Sequence, residues 1–216
     1  MNPTSAIGQH QPRTRRRSDG ERSRAAILDE AARLATVDGL AGLSIARLAS
    51  AVGMSKSGLF AHFGSKEDLQ LATVERAEAI FNEKVIEPAS AAPDALQRLR
   101  DITDHYLGYV EGDTFPGGCF FASTLVEMSM QPGAVRDRLV DFLADWLRRL
   151  EAMARDAQDE GSISPEQDPA QIAFDLEAAL FLANAQYSVT RSAEPIERAR
   201  RAIDRRLAGA AGAQVV

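Results

Sequence analysis

The segment over residues 44–66 constrains the fold more than any other part of the chain, because it predicts two short helices joined by a tight turn. Ser44 stands where a helix N-cap is needed, and apolar residues follow at helical spacing: Ile45, Leu48, Ala49 and Val52. Gly53 lets the backbone leave the first helix at positive φ. Ser55 caps the second helix, whose inward residues are Leu59 and Phe63.

The second helix carries small or basic residues on the side that faces away from this core. They are Lys56, Ser57, Gly58, Ala61 and His62. Such side chains suit a helix that lies in the major groove of DNA. The segment therefore indicates a helix-turn-helix.

Five consecutive motifs between residues 44 and 69 match a known family together. They are Ser44, Leu48-Ala49, Ala51-Val52-Gly53-Met54-Ser55, Phe60-Ala61-His62-Phe63 and Ser65-Lys66-Glu67-Asp68-Leu69. The chain resembles the TetR family of bacterial transcriptional regulators over residues 22–71, the DNA-binding part of that family. It departs from the family pattern at Phe60, where Tyr is usual, and at Gly58, where Thr or Ala is common.

The resemblance implies that four residues hold the phosphate backbone of DNA. Ser44 would hydrogen-bond a phosphate, and Arg47 would reach the backbone nearby. His62 and Lys66 would hold phosphates, with Lys66 helped by the N-terminus of the helix that it opens.

The resemblance also implies which residues face the bases. Lys56, Ser57 and Gly58 would face base edges, and Lys56 is the strong donor to guanine among them. Phe60 would pack against a sugar or a thymine methyl, because it lacks the hydroxyl of the family's Tyr.

Helical periods rich in Ala, Leu and Arg dominate the rest of the chain, and alternating β-branched runs are scarce. The sequence therefore predicts an all-α fold. With the resemblance, it predicts a disordered basic arm at 1–18 and a three-helix helix-turn-helix DNA-binding domain at 19–66. A helical domain for effector binding and dimerisation follows at 67–210, with a tail at 211–216. The arm is either a solvated tail or a minor-groove contact, and both interpretations remain open.

The formal net charge of −6 is distributed unevenly along the chain. Residues 1–70 carry ten Lys and Arg against seven Asp and Glu, whereas the remainder carries 15 against 24. A basic head on an acidic body keeps the attraction for phosphate local to the head.

The body is predicted to contain helices over 65–87, 93–110, 119–130, 133–160 and 169–190, and from Pro195 onward. The helix before Pro88 is expected to stop there, because proline restricts the residue before it. The helix over 169–190 is apolar on most sides, and its only charges before Arg191 are Asp175 and Glu177. Such a helix is buried on most sides. We therefore expect a homodimer that forms through the last two helices.

The family resemblance implies an effector cavity in the body. Candidate lining residues are Phe81, His105, Tyr106, Tyr109, Cys119, Phe120, Met128, Trp146 and Phe174. Plain core packing is the alternative for each of them. His105 and Glu127 are polar residues on otherwise apolar helices, so each either orients a ligand or makes a satisfied hydrogen bond.

Several classes of site have no support in the sequence. Three widely spaced histidines and one cysteine offer no zinc spacing, and no phosphate-loop or dinucleotide motif occurs, so no metal or cofactor is expected. No stretch of about 20 apolar residues is present, so we expect no membrane partner and a cytoplasmic location.

These features predict a regulator that a small, mostly apolar effector releases from a palindromic DNA operator. A ligand-independent DNA-binding or scaffold protein is the alternative, because the cavity is inferred from resemblance. A small all-α enzyme would need convergent acid, base or metal groups, and the sequence shows none.

Overall fold

The computed structural model describes residues 13–112 and 114–211, with side chains described from residue 21 onward. The described chain is helical throughout, as predicted, and contains no strand. Its helices are α1 (Arg13–Asp38), α2 (Ile45–Ala51), α3 (Lys56–Phe60), α4 (Lys66–Phe81), α5 (Glu87–Ala89), α6 (Ala95–Glu111), α7 (Phe120–Met128), α8 (Ala134–Asp159), α9 (Pro169–Thr190) and α10 (Glu194–Ala211).

Serine residues begin the helices of the head, as their spacing predicted. The Oγ atoms of Ser44, Ser55 and Ser65 accept hydrogen bonds from backbone N–H groups three residues further on, at 3.5, 3.0 and 3.0 Å. Each bond satisfies a donor that the first turn of a helix leaves free. Gly53 lies between α2 and α3 at φ 67°, the positive value that its place in the turn required.

The head packs α2 against both α1 and α3 around a small apolar core. Leu48, Leu59 and Phe63 are buried there. Arg24 of α1 fastens the end of α3, because its Nη1 donates to the carbonyl oxygen of His62 at 3.0 Å and its guanidinium lies 4.5 Å from the Phe63 ring centre. These contacts fix the orientation of α3.

The structure places two helix boundaries differently from the sequence analysis. α1 begins at Arg13, so residues 13–18, which we assigned to the disordered arm, are helical. Residues 1–12 of that arm and 212–216 of the tail lie outside the described residues. The chain also stays helical past Pro88, through a π-helical turn at Asn82–Ile86 and then α5. Pro88 falls in the first turn of α5, where its missing N–H costs little, so the stop predicted there is wrong.

The body surrounds an aromatic cluster centred on Phe81, the last residue of α4. Its ring is 1% exposed and meets five others edge to face, with centroid distances from 5.3 to 6.1 Å: those of Tyr106, Tyr109, Phe121, Phe142 and Trp146. Edge-to-face pairs are a favoured aromatic geometry. The cluster joins α4, α6, α7 and α8, while α9 packs against both α8 and α10.

Candidate DNA interface and effector cavity

The outer side of α3 is the exposed surface that the sequence analysis assigned to bases. Lys56 and Ser57 are exposed, Gly58 is half-buried, and the Phe60 ring is 50% exposed. The opposite side of α3 is anchored by Leu59, which is 1% exposed. A cation, a hydroxyl and an aromatic ring are thus exposed on this short helix, and such groups can contact base edges and thymine methyls.

Two of the residues assigned to phosphates have partners within the chain. Nη1 of Arg47 lies 2.6 Å from Oδ2 of Asp38, and Nζ of Lys66 donates to the carbonyl oxygen of Ala41 at 2.6 Å. Both side chains are exposed, and each keeps further N–H donors. A phosphate contact by either residue would therefore share or replace an existing interaction.

The other two phosphate candidates are Ser44 and His62. Ser44 is exposed, and because its Oγ accepts the bond from the Arg47 backbone, its hydroxyl hydrogen can be donated elsewhere. His62 is half-buried beside Phe63, at the end of α3. The assigned residues thus occur on one part of the head.

The turn between α1 and α2 connects the head to the body. The two carboxylate oxygens of Glu127, on α7, accept hydrogen bonds from the backbone N–H groups of Leu40 at 2.7 Å and Ala41 at 2.9 Å. On the other side of the turn, Nε2 of Gln70 donates to the carbonyl oxygen of Leu40 at 2.8 Å. The sequence left open whether Glu127 orients a ligand, and the structure shows a satisfied contact with the backbone.

A small cavity of about 30 Å³ lies in the body between α6, α7, α8 and α9. Its lining residues are Phe81, Tyr106, Cys119, Phe121, Ala122, Leu125, Leu139, Phe142, Leu143, Trp146, Glu177 and Phe181. This volume is room for about one or two water molecules. Ligand pockets typically enclose about 300–1,000 Å³, so the cavity is much smaller than a typical ligand pocket.

Glu177 is the acidic group of the cavity. Its Oε2 accepts a hydrogen bond from Nε1 of Trp146 at 2.7 Å. Burial raises the pKa of the Glu177 carboxyl to about 7, and the bond from Trp146 opposes that rise. Near neutral pH this carboxyl is therefore divided between its charged and neutral forms.

Two neutral polar groups lie near Glu177. Burial raises the pKa of the Cys119 thiol to about 11 and raises that of the Tyr106 hydroxyl well above its ordinary value. Both groups stay protonated at neutral pH, so Cys119 lacks the thiolate that a reactive cysteine requires. Behind them, the buried hydroxyl of Tyr109 has no hydrogen-bond partner among the described residues.

The cavity contains four of the nine residues assigned to it by sequence: Phe81, Tyr106, Cys119 and Trp146. Tyr109 and Phe120 are buried in the adjoining aromatic core, and His105 is half-buried away from the lining. Met128 lies beside a separate groove near Lys66, and Phe174 is 65% exposed, one turn of α9 before Glu177.

The sequence analysis did not assign Glu177, Phe121 or Phe181 to the cavity. The signal for Glu177 was present, because a charged residue inside an apolar helix needs a polar contact. No signal marked Phe121 or Phe181 apart from other core aromatics.

In the described part of the chain, no group of His, Cys, Asp and Glu side chains could hold a metal ion. Likewise, none of its helices has the length and apolar character needed to cross a membrane.

The fold and the α3 surface define a helix-turn-helix DNA-binding protein with a helical body. Two family descriptions match the chain: "Bacterial regulatory proteins, tetR family" over residues 27–73 and "Tetracyclin repressor-like, C-terminal domain" over residues 95–203. The second covers half of the sequence, so the chain belongs to the TetR family of transcriptional regulators. Members of this family are not enzymes, which excludes the enzyme hypothesis.

Individual relatives agree with this assignment. The transcriptional regulator AcuR of Cereibacter sphaeroides is 28% identical over 141 residues, and the match spans 64% of each chain. A TetR regulator from Chloroflexus aurantiacus J-10-FL superposes with a TM-score of 0.80 at 25% identity, covering 86% of this chain and 94% of that one. The structure of AibR in complex with isovaleryl coenzyme A and operator DNA has the same fold, with a TM-score of 0.68 at 23% identity over 88% and 98% of the two chains.

Proposed function

We propose that this regulator is a homodimeric repressor that leaves a palindromic operator when a small, mostly apolar effector binds in the body. The head at residues 19–66 would bind DNA, and the body at 67–210 would bind the effector. One observation carries the proposal: α7 contributes Phe121 and Leu125 to the cavity wall and also holds the α1–α2 turn through Glu127. The cavity wall and the contact with the α1–α2 turn therefore share one nine-residue helix, α7.

An effector would act by moving α7. Since the cavity encloses only about 30 Å³, a ligand larger than one or two water molecules must displace part of its wall. Five wall residues are half-buried and mark where it opens, between α7, α8 and α9: Ala122, Leu125, Leu143, Glu177 and Phe181. A shift of α7 would carry Glu127 with it, and the turn that positions α2 and α3 would follow. The effector thereby favours a head arrangement that does not fit the operator.

A solved complex of the same fold holds both kinds of partner that the proposal names. The AibR structure contains an acyl-coenzyme A ligand and operator DNA. Its identity to this chain is 23%, so it supports the fold alone and does not identify the effector.

The test is a screen of small apolar compounds by thermal unfolding, followed by operator titration with each compound that stabilises the protein. A true effector must lower operator affinity, and operator DNA must lower effector affinity by the same factor. Compounds that stabilise the body but leave operator affinity unchanged would contradict the proposed switch.

Ligand-independent DNA binding remains the second candidate, and the small cavity favours it. A body whose side chains already fill the interior has no need of a ligand. The same screen separates the two candidates, since this alternative predicts no compound that stabilises the body and alters operator affinity.

The dimer is proposed to form through α9 and α10. Three large apolar side chains on α9 are exposed: Phe174 at 65%, Leu182 at 56% and Val189 at 84%. Ala183 on the same helix is 2% exposed and faces the protein's own core. A second copy of the chain would cover the exposed side chains, and a stable interface of this kind buries more than about 1,000 Å².

Leu182→Glu is expected to shift the protein towards monomer, because it places a charge in an apolar interface. Val140→Glu is the matched control, since Val140 is a 42% exposed apolar residue on α8. Light scattering across micromolar concentrations measures the shift. If wild type is itself a monomer in this range, the proposed dimer is wrong.

Lys56→Ala is expected to cost about 1–3 kcal/mol on the correct operator and to relax sequence preference, because Lys56 is proposed to read a base. Lys66→Ala should weaken all DNA sequences alike and reduce the salt dependence by about one phosphate contact. Thermal unfolding must accompany Lys66→Ala, because the variant also loses the bond to Ala41. Equal losses on specific and random DNA for both variants would overturn these roles.

A further inference from the structure

The charge of Glu177 is incompletely compensated by its surroundings. Among the described residues its carboxylate receives one hydrogen bond, from Trp146, and no Lys, Arg or His forms an ion pair with it. A carboxylate can accept about four hydrogen bonds, and Glu177 is half-buried, so its charge is partly withdrawn from water without an ion-pair partner. The site is therefore short of positive charge.

The remaining wall of the cavity is mostly aromatic. Six rings line it: Phe81, Tyr106, Phe121, Phe142, Trp146 and Phe181. The face of an aromatic ring attracts a cation electrostatically, and the attraction grows where water is excluded. Rings combined with a carboxylate match the chemistry of an organic ammonium ion, with its apolar substituents and diffuse positive charge.

We propose that this cavity receives a small organic ammonium ion, whose apolar substituents lie against the aromatic rings while its positive charge pairs with Glu177. The inference rests on the proposed function, because it names the chemical class of effector for the same site. An anion of equal size is disfavoured by the Glu177 carboxylate, and a neutral molecule supplies no positive charge to pair with it.

The protein contains an intrinsic fluorescent group that can report this binding. Trp146 is the single tryptophan of the chain, it lines the cavity, and its indole N–H is bonded to Glu177. A ligand that enters the cavity changes the surroundings of this indole. Tryptophan fluorescence therefore measures occupancy directly.

The experiment compares three probes that share one apolar tail: hexyltrimethylammonium, hexan-1-ol and hexanoate. The cation is expected to bind tightest, and hexanoate weakest. Glu177→Gln keeps an acceptor for the indole N–H and removes the charge, so it should weaken binding of the cation at least ten-fold and leave that of hexan-1-ol nearly unchanged. Glu166→Gln, which removes one negative charge from an exposed loop, is the matched control and should leave all three affinities as in wild type.

The pH dependence gives a second readout. Because the cation pairs with the carboxylate, its affinity should rise as pH increases from 6 to 8 and level off above the pKa of Glu177, near 7. The other titratable groups that face Glu177 are Tyr106 and Cys119, and both stay protonated in this range because burial raises their pKa values. The profile should be flat in Glu177→Gln.

Three results would overturn the inference: hexanoate binding tightest, cation binding unchanged in Glu177→Gln, or no saturable binding of the cation at millimolar concentration. Operator titration distinguishes failure of this inference from failure of the proposed function. If the cation binds and operator affinity stays constant, the switch fails and the inference stands. If a compound of another class releases the operator and the cation does not bind, the inference fails and the switch stands.

Discussion

Gly117→Ala is expected to lower the free energy of unfolding by about 3 kcal/mol, the upper part of the range for overpacked sites. A Cβ atom at this position would overlap the backbone carbonyl of Thr36, which belongs to α1 and cannot rotate away as a side chain does. The Gly117 N–H also donates to Oγ1 of Thr36 at 3.2 Å, and its carbonyl oxygen accepts from Oγ of Ser188 at 2.8 Å. Any shift that relieves the overlap would break these two bonds, through which Gly117 links α1 to α9.

Gly108→Ala is the matched control for this substitution. Gly108 lies inside α6, and a Cβ there would meet no atom within 4 Å. Alanine should therefore raise the free energy of unfolding by about 0.5–1 kcal/mol, through the better helix propensity of alanine. Chemical denaturation at one fixed protein concentration measures both variants. A Gly117→Ala protein within about 0.5 kcal/mol of wild type would show that the close approach to Thr36 is not maintained in solution.

Glu127→Ala is expected to have the second-largest effect, at about 2 kcal/mol, because it removes two charge-assisted hydrogen bonds and leaves the N–H groups of Leu40 and Ala41 without a partner. The variant should also bind the operator more weakly in the absence of effector, since the turn that positions α2 loses its contact with the body. Any effector found by the screen should then change operator affinity by a smaller factor than in wild type.

Glu127→Gln serves as the graded control for this loss. Its carboxamide keeps the size of the side chain but has one acceptor oxygen in place of two, so both effects should be intermediate. Denaturation and operator titration of the two variants, with and without effector, separate stability from coupling. An effector response in Glu127→Ala equal to that of wild type would mean that α7 does not carry the signal through Glu127.

The helix-turn-helix was predictable because local chemistry determines it. Ser44, Ser55 and Ser65 each stand three residues before the N–H that they cap, and Gly53 supplies the one positive φ between α2 and α3. These interactions span only a few residues, so the sequence alone displays them.

The cavity was only partly predictable because it depends on how helices are rotated against one another. α9 is apolar on nearly every side, so periodicity does not indicate which side meets α8. Phe174 and Glu177 are three residues apart, yet only Glu177 lines the cavity while Phe174 is exposed. The contact made by Glu127 could not be predicted either, since its partners Leu40 and Ala41 lie 87 and 86 residues away in sequence.

The central claim is that two copies of α3 read a palindromic operator, and selection of binding sites from a random double-stranded DNA library tests it most directly. The purified protein should enrich an inverted repeat, with half-sites centred about one helical turn, 34–36 Å, apart. The same selection with Lys56→Ala should give a less defined half-site. Recovery of single half-sites, or of no common sequence at moderate salt, would contradict the claim.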